Sequence, residues 1–531
     1  MRAADEREEL SLPVPDDCDG RVIGSTLQED PSEDQSEENR VEGAQSQVAE
    51  FVSHMDLASP EVLRVTPACE AFRNCFQALR GAGGDLHFKS HRSDKIGAFW
   101  SHSWHGKTWK KILTLVTIYN GQAAIMLGML VAVVMMVLFC VLGLPDYHRD
   151  GNRNTERWSV WSTWSGILVT FLAAIFYRPQ TRVFFDRICI SQSNRELKLK
   201  GVISLAGLLR RSDSMLILWD STWTTRLWCL FELAAFLKSR EDEVHQKLII
   251  TPTLWGPVHS VMFLTVSAGA ITGVMAPYAR NSLSSPQDYF LDSTFVSGVV
   301  VLVVGYAITS TLRSYFRDLD TMRQQLMSIS FDTALCQCCT SNHVAPSGAR
   351  RMCDRKILGE CVSMWFGSLA SFEGTLRSEV LELLARDLEQ VLTTRSTIAV
   401  FSPLMWAFMD YAASFSRTEG RFWNHHSTIA LADGLVVWIV AVPALKNWVL
   451  LVCKLARARP RNWFLEGMKN SLVVLIVLIS PVTLGLRLLA YDLHMLSSLG
   501  QAGVVIAATL LHAIFFCCLS VALKAFLGTR V

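Results

Sequence analysis

Runs of roughly 18 to 25 mostly apolar residues recur along the chain, each long enough to cross a hydrocarbon core about 30 Å thick. They lie at 120–144, 158–177, 253–277, 290–313, 397–414, 427–453, 470–489 and 502–526 and predict eight membrane-spanning helices. The fifth is short and carries Asp410, and without it every later loop would change side. Between the spans the periodicity changes. Residues 95–118 open on KIGAFWSHSW, a strand-like run ending in small polar residues, and continue as TWKKILTLV at helical spacing. Residues 182–252 alternate VFFDRICI, a helix through GVISLAGLLRR, the strand MLILWD, a helix through TTRLWCLFELAAFLKS and the strand KLIITPT. That β-α-β-α-β order predicts a parallel sheet. Residues 314–396 read as mostly helical, with SFEGTLRSEVLELLARDLEQVL placing apolar side chains at i, i+3, i+4 and i+7.

Composition agrees with a bilayer. Half of the 531 residues are hydrophobic, only 18% are charged, and the mean hydropathy is positive. The net charge of +2 hides an asymmetry, because the first fifty residues are rich in Asp and Glu and poor in aromatics. Residues 1–60 are therefore expected to form a disordered acidic tail. No secretory leader is visible in MRAADEREEL. Fourteen scattered cysteines point to reduced thiols rather than a disulfide framework.

Basic residues orient the spans. Lys107, Lys110 and Lys111 precede the first, Arg178, Arg182 and Arg187 follow the second, and Lys454, Arg457, Arg459 and Arg461 follow the sixth. The stretches 278–289 and 490–501 are nearly free of them, so the N-terminus, 178–252, 314–396 and the C-terminus are expected in the cytosol. Trp158, Trp161 and Trp164 open the second span as an interfacial anchor, and Pro257, Pro443 and Pro481 suggest kinks.

Candidate chemistry is sparse. In TTRLWCLFEL, Trp228 and Glu232 stand four residues apart on one helix face, where an aromatic wall and a carboxylate could meet one ligand. The plain alternative is a solvated glutamate paired with Arg226 or Lys238 and a tryptophan in the core. Ser101, His102 and Ser103 follow the first strand as ligand contacts or as strand-end hydrogen-bonding groups, and Cys229 suits buried packing. CQCC at 336–339, with His343, Cys353 and Cys361, invites a zinc reading, but its gaps depart from paired C-x-x-C spacing. Reduced or palmitoylated cysteines fit better, and no metal site is expected. Asp410, Asp433 and His512 would mark an ion path if they shared a cavity; the favoured reading places the first two at the interface. No phosphate-binding loop, HExxH pair or serine-hydrolase elbow occurs, and the acidic start argues against nucleic acid.

The strings AFWSHSW, VFFDRICISQS, MLILWD and RLWCLFEL together resemble a TIR (Toll/interleukin receptor) domain, the last matching its W-C-x-x-E-L helix. More closely, SHSW, FFDRICISQ, RLWCLFELAAF and DRKILGECVSMWFGSLASFEGTLRSEV resemble large TIR-like membrane proteins of unicellular algae and other protists. The resemblance covers about a third of the chain and implies a flavodoxin-like α/β parallel sheet, here split by a membrane hairpin and shortened at its C-terminal end. The implied layout is a tail (1–60), a first TIR-like part (95–118), a transmembrane hairpin (119–177) and a second TIR-like part (180–252). Spans three and four (253–313), a cytosolic helical segment (314–396) and spans five to eight (397–527) follow, making a polytopic α-helical bundle. Because two spans return the chain to one face, the halves can complete one sheet.

The resemblance further implies signalling by self-association or by association with other TIR-like domains. In members that cleave NAD, the glutamate matched by Glu232 stabilises the ribosyl cation as nicotinamide leaves. NAD would then be substrate, with no cofactor required. The competing classes are a transporter or channel regulated by the TIR-like domain, and a non-catalytic membrane scaffold.

Overall fold

Strand formation follows the apolar runs, and register decides which side chains reach the edge of the sheet. The computed structural model describes residues 31–150, 155–240, 247–281, 286–344, 352–380, 393–418 and 424–478. Its strands are β1 (Arg64–Pro67), β2 (His91–Arg92), β3 (Ile96–His102), β4 (Tyr147–Asp150), β5 (Thr155–Trp158), β6 (Arg182–Phe184), β7 (Ser212–Trp219) and β8 (Leu248–Pro252). The described residues divide into two compact units. One holds those up to Ile112, from Arg178 to Thr253 and from Asp318 to 380, and the other holds the rest.

The first unit is built on a six-stranded sheet in the order β2-β1-β6-β3-β7-β8. β6, β3, β7 and β8 run parallel, with Ala98 opposite Val183 and Ser101 opposite Ile217. These strands are apolar almost throughout, as expected where helices cover both faces; Phe99, Trp100, Phe184, Leu216, Ile217 and Leu218 are all buried. Phe99 and Phe184 stack across β3 and β6 with ring centroids 4.9 Å apart.

The expected parallel sheet is corrected to a mixed one, because β1 adds to its edge antiparallel to β6 and β2 pairs antiparallel with β1. Strands of four and two residues are too short to leave a readable alternation. VFFDRICI is likewise not one strand: β6 stops at Phe184, and Asp186–Cys189 turns into a short helix.

A Cβ at Gly97 would lie 2.6 Å from the carbonyl oxygen of Arg182, whereas one at Gly84 meets nothing. Gly97→Ala should therefore push β3 away from β6 and cost about 1–3 kcal/mol. Thermal unfolding checks this, with a lowered midpoint for Gly97→Ala and an unchanged one for Gly84→Ala.

Helix Leu227–Ser239 is apolar on every side and almost wholly buried. It packs on β3 and on helix Asp354–Phe366, where Phe231 stacks on Trp365 at 5.5 Å. That second helix also holds the helix Pro31–Ser53. Trp365 Nε1 donates to the Ser53 carbonyl at 2.8 Å, Lys356 pairs with Glu42 at 2.6 Å, and Ala49 and Val52 are buried. Within the 1–60 expected as a disordered tail, residues 31–53 form this helix, whose apolar side chains dock among acidic neighbours; residues 1–30 lie outside the described residues.

Among the described residues three helices are long and apolar enough to cross a membrane: Thr108–Leu142, Trp255–Met275 and His426–Leu455. Thr394–Val400 and Ser402–Ser416, bent by 51°, would make a fourth if they form one span. The bend precedes Pro403, which lacks the N–H that would continue the ladder. Trp161–Phe176 is apolar but only 16 residues long. Helix Pro286–Met327 covers the fourth expected span and Trp463–Leu478 the start of the seventh; the rest of that span and the eighth lie outside the described residues. At Pro443 the helix loosens into a π turn over Val437–Ala441 rather than breaking. Pro481 lies outside the described residues. Of the three tryptophans expected as an anchor, Trp164 is exposed, Trp161 donates to the Pro145 carbonyl at 2.8 Å, and Trp158 stacks on Tyr411.

Polar groups in this unit are tied to helix ends. Asp410 Oδ1 accepts from Ser159 Oγ at 2.7 Å and from the Ser162 N–H at 2.9 Å, while Oδ2 accepts from the Thr163 N–H at 2.8 Å. It caps the N-terminus of helix Trp161–Phe176, where free N–H groups and the helix dipole favour a carboxylate. Asp410 is therefore buried within the protein and bonded on both oxygens. Arg313, fully buried, donates to the carbonyls of Ala456 and Ala458 beyond the end of helix His426–Leu455 and pairs with Glu466 at 3.2 Å. Asp410 and Arg313 are taken up by such contacts, whereas Asp433 Oδ1 is shielded and has no hydrogen-bond partner among the described residues.

Candidate functional site at the carboxyl edge of the sheet

β3 and β7 run parallel and end together at His102 and Trp219, so the loops Ser103–Gly106 and Asp220–Thr225 leave the same edge of the sheet. In open parallel sheets the crevice beyond this edge is where ligands bind. Strand alternation sends Ser101 and His102 to opposite faces.

Ser101 faces helix Leu227–Ser239. Its hydroxyl donates to Glu232 Oε2 at 2.5 Å and accepts from Trp223 Nε1 at 3.1 Å, forming a chain Trp223, Ser101, Glu232. Trp223 is held by stacking on Trp219, with centroids 5.0 Å apart. Burial is the main cause that pushes the Glu232 carboxyl up to about 8, with the nearby charge of Asp186 adding to it and the Ser101 bond opposing it. Glu232 is thus mostly protonated at neutral pH. It is half-buried and bonded to Ser101, which replaces the alternative of a solvated helix glutamate.

Ser103 stands on the same edge. Its carbonyl accepts from the buried Lys111 Nζ at 2.5 Å, and its Oγ lies 2.7 Å from Thr222 Oγ1, which donates to Asp220 Oδ1 at 2.5 Å. The second Asp220 oxygen is shielded and has no hydrogen-bond partner among the described residues.

His102 lies on the opposite face, its ring edge-on to Trp104 at 4.5 Å and beside Phe185 at 5.4 Å. Burial first, and the charge of Lys111 second, hold its imidazole well below the usual histidine range, so it is neutral. Its Nε2 has no hydrogen-bond partner among the described residues. Trp104 Nε1 donates to Asp186 Oδ2 at 3.0 Å, and burial raises the Asp186 carboxyl.

The structure therefore brings Ser101 to Glu232, places Ser103 nearby on the same edge and turns His102 to the far face. Trp228 does not join them: its Nε1 donates to Asp354 Oδ2 at 3.3 Å, toward the helix Asp354–Phe366. Cys229 Sγ donates to the His102 carbonyl at 3.8 Å and packs as a buried thiol. Trp223, Thr222, Asp220, Trp104 and Asp186 were not singled out from the sequence, and Lys111 was named only as a charge orienting the first span. The signal was there for three of them, Asp220, Thr222 and Trp223: WDSTWTT follows an apolar strand with the same small polar residues that mark SHS.

A second gathering of reactive side chains stands apart, where Cys338, Cys339, His343 and Cys353 converge and Cys336 lies beside them. Of the residues expected to share an ion path, Asp410 is committed to the helix cap described above, Asp433 is partly buried, and His512 lies outside the described residues. Comparison with protein-family models, with curated proteins and with solved structures finds no match.

Proposed function

We propose that this chain is a multi-pass membrane protein whose sheet unit is a cytosolic TIR-like module that signals by self-association, with Glu232 as the carboxylate of an NAD-cleaving site. The observation that carries the proposal is the Ser101–Glu232 pair at the carboxyl edge of the parallel strands. Supporting it, the parallel strands β6, β3, β7 and β8 stand in the order second, first, third and fourth, as in flavodoxin-like sheets. The antiparallel β1 and β2 are additions to that pattern, and the described sheet ends at β8.

Cleaving the bond between ribose and nicotinamide develops positive charge on the sugar, which an adjacent carboxylate stabilises chiefly in the transition state. Glu232 must lose its proton to do so. A cationic substrate beside it favours the ionised form, lowering its pKa when the site is filled. Ser101 holds the carboxyl in place through one hydrogen bond.

A second reading, assembly without catalysis, is favoured by the complete burial of the Ser101 hydroxyl and the protonated state of Glu232, which together suit a core lock. Nicotinamide release by purified full-length protein in detergent, at high protein density, separates the two. Release lost in Glu232→Ala supports cleavage; a folded wild-type protein that releases none supports assembly alone.

A further inference from the structure

Cys338, Cys339, His343 and Cys353 offer three sulfurs and an imidazole nitrogen that all lie within 4.8 Å of one another. Local backbone builds the group. Cys338 and Cys339 sit on the single turn Gln337–Thr340, and the chain then reverses through Asn342 and His343, both in the left-handed region at φ of 52° and 58°. Non-glycine residues hold that conformation only when something fixes them there. The reversal brings the His343 N–H to the Cys338 carbonyl at 2.7 Å and its ring back toward the thiols. Cys353 arrives from the other side as the residue preceding helix Asp354–Phe366.

The distances select a metal over the alternatives. Cys338 and Cys339 sulfurs are 3.8 Å apart, as are those of Cys339 and Cys353. A disulfide needs about 2.05 Å. Two thiolates on one tetrahedral zinc, each at about 2.3 Å, stand about 3.8 Å apart. The Asp354 N–H donates to Cys338 Sγ at 3.3 Å, the kind of outer hydrogen bond that orients a thiolate ligand. His343 Nε2 is shielded and has no hydrogen-bond partner among the described residues. Cys336, at 3.0 Å from Cys338, is too close to share a tetrahedral ion with it.

We propose that Cys338, Cys339, His343 and Cys353 form a structural zinc site that fastens the cysteine-rich turn and the helix Asp354–Phe366 beside the Glu232 helix. The turn is already stitched there, since the Leu227 N–H donates to the Leu335 carbonyl at 3.1 Å and the Leu335 N–H to Thr225 at 2.6 Å. Trp228 bonds Asp354, the residue after the fourth ligand. Zinc takes the three sulfurs as thiolates, releasing their protons, and the imidazole neutral. A closed four-ligand set with no open position suits structure, not catalysis. The irregular ligand spacing that argued against zinc in the sequence reflects ligands drawn from a turn and a helix start rather than from two paired knuckles.

The test is zinc content by elemental analysis of full-length protein purified in detergent with thiols kept reduced. About one zinc per chain is expected for wild type, for Cys336→Ser and for the exposed Cys75→Ser, falling to roughly a tenth or less in Cys339→Ser and His343→Ala. A chelator should lower the thermal midpoint of wild type and leave the two ligand variants unmoved. Wild-type protein that takes up no zinc on exposure to the ion overturns the site. So does a Cys336→Ser variant that loses as much zinc as Cys339→Ser.

Discussion

Replacing Asp410 by alanine should lower the stability of the membrane unit by about 3–5 kcal/mol, among the largest effects expected of any single substitution in this chain. The carboxylate takes bonds from one hydroxyl and two backbone N–H groups at a helix start. Each buried donor left without a partner costs about 1–3 kcal/mol, and inside a bundle no water replaces the lost acceptor. Asp410→Asn keeps one oxygen but turns an amide N–H₂ toward a backbone N–H, so about half the loss is expected. The readout is the thermal midpoint in detergent, dropping by roughly 10 °C for alanine. A midpoint within a degree of wild type would mean that the cap contributes nothing. Because both oxygens are occupied by donors from the neighbouring helix start, this geometry lends no support to an ion path through Asp410.

The second large effect is the pH dependence carried by Glu232. Its carboxyl rises from an ordinary value of 4.5 in the unfolded chain to about 8 in the fold. Between those values the folded protein binds more protons than the unfolded one, so this group's contribution to stability is fully present below about 4.5. It is lost progressively as pH rises to about 8. The span corresponds to about 3–4 kcal/mol after allowance for the partial exposure of the residue. Glu232→Gln, which cannot titrate, removes that slope. The wild-type thermal midpoint should therefore fall by several degrees between pH 5 and pH 8 relative to the variant. Parallel profiles for the two proteins would show that Glu232 titrates normally. Activity runs the opposite way: if the ionised carboxylate is the working form, nicotinamide release rises with pH with its midpoint at or below about 8 and levels off above that.

Much of the sheet unit was legible because its strands are continuous apolar runs and its helices have clear period, as in IGAFWSH and SDSMLILW. Ser101 and Glu232 were each singled out from the sequence, but their pairing across 131 positions was not, since no local spacing links a strand end to a helix that far along the chain. Trp228 shows the limit of helical spacing as a guide. It shares a stripe with Glu232, but a helix buried on all sides faces different layers along its length, and the first turn meets Asp354. The partners of Asp410 lie about 250 residues away, and a lone carboxylate in an apolar run does not name them. The cysteine and histidine group was visible as residues but not as geometry, since two left-handed residues, which no spacing rule foresees, fold the turn back on itself.

The most direct measurement is nicotinamide release from NAD at pH 8.5 or above, compared between wild type and Glu232→Gln at high protein density. Wild-type turnover reduced at least about 100-fold by an uncharged isostere is the expected result, since the variant keeps the shape and loses only the charge. Equal rates in the two proteins, or no release by a folded and assembled wild type, would contradict the assignment of Glu232 as the NAD-cleaving carboxylate.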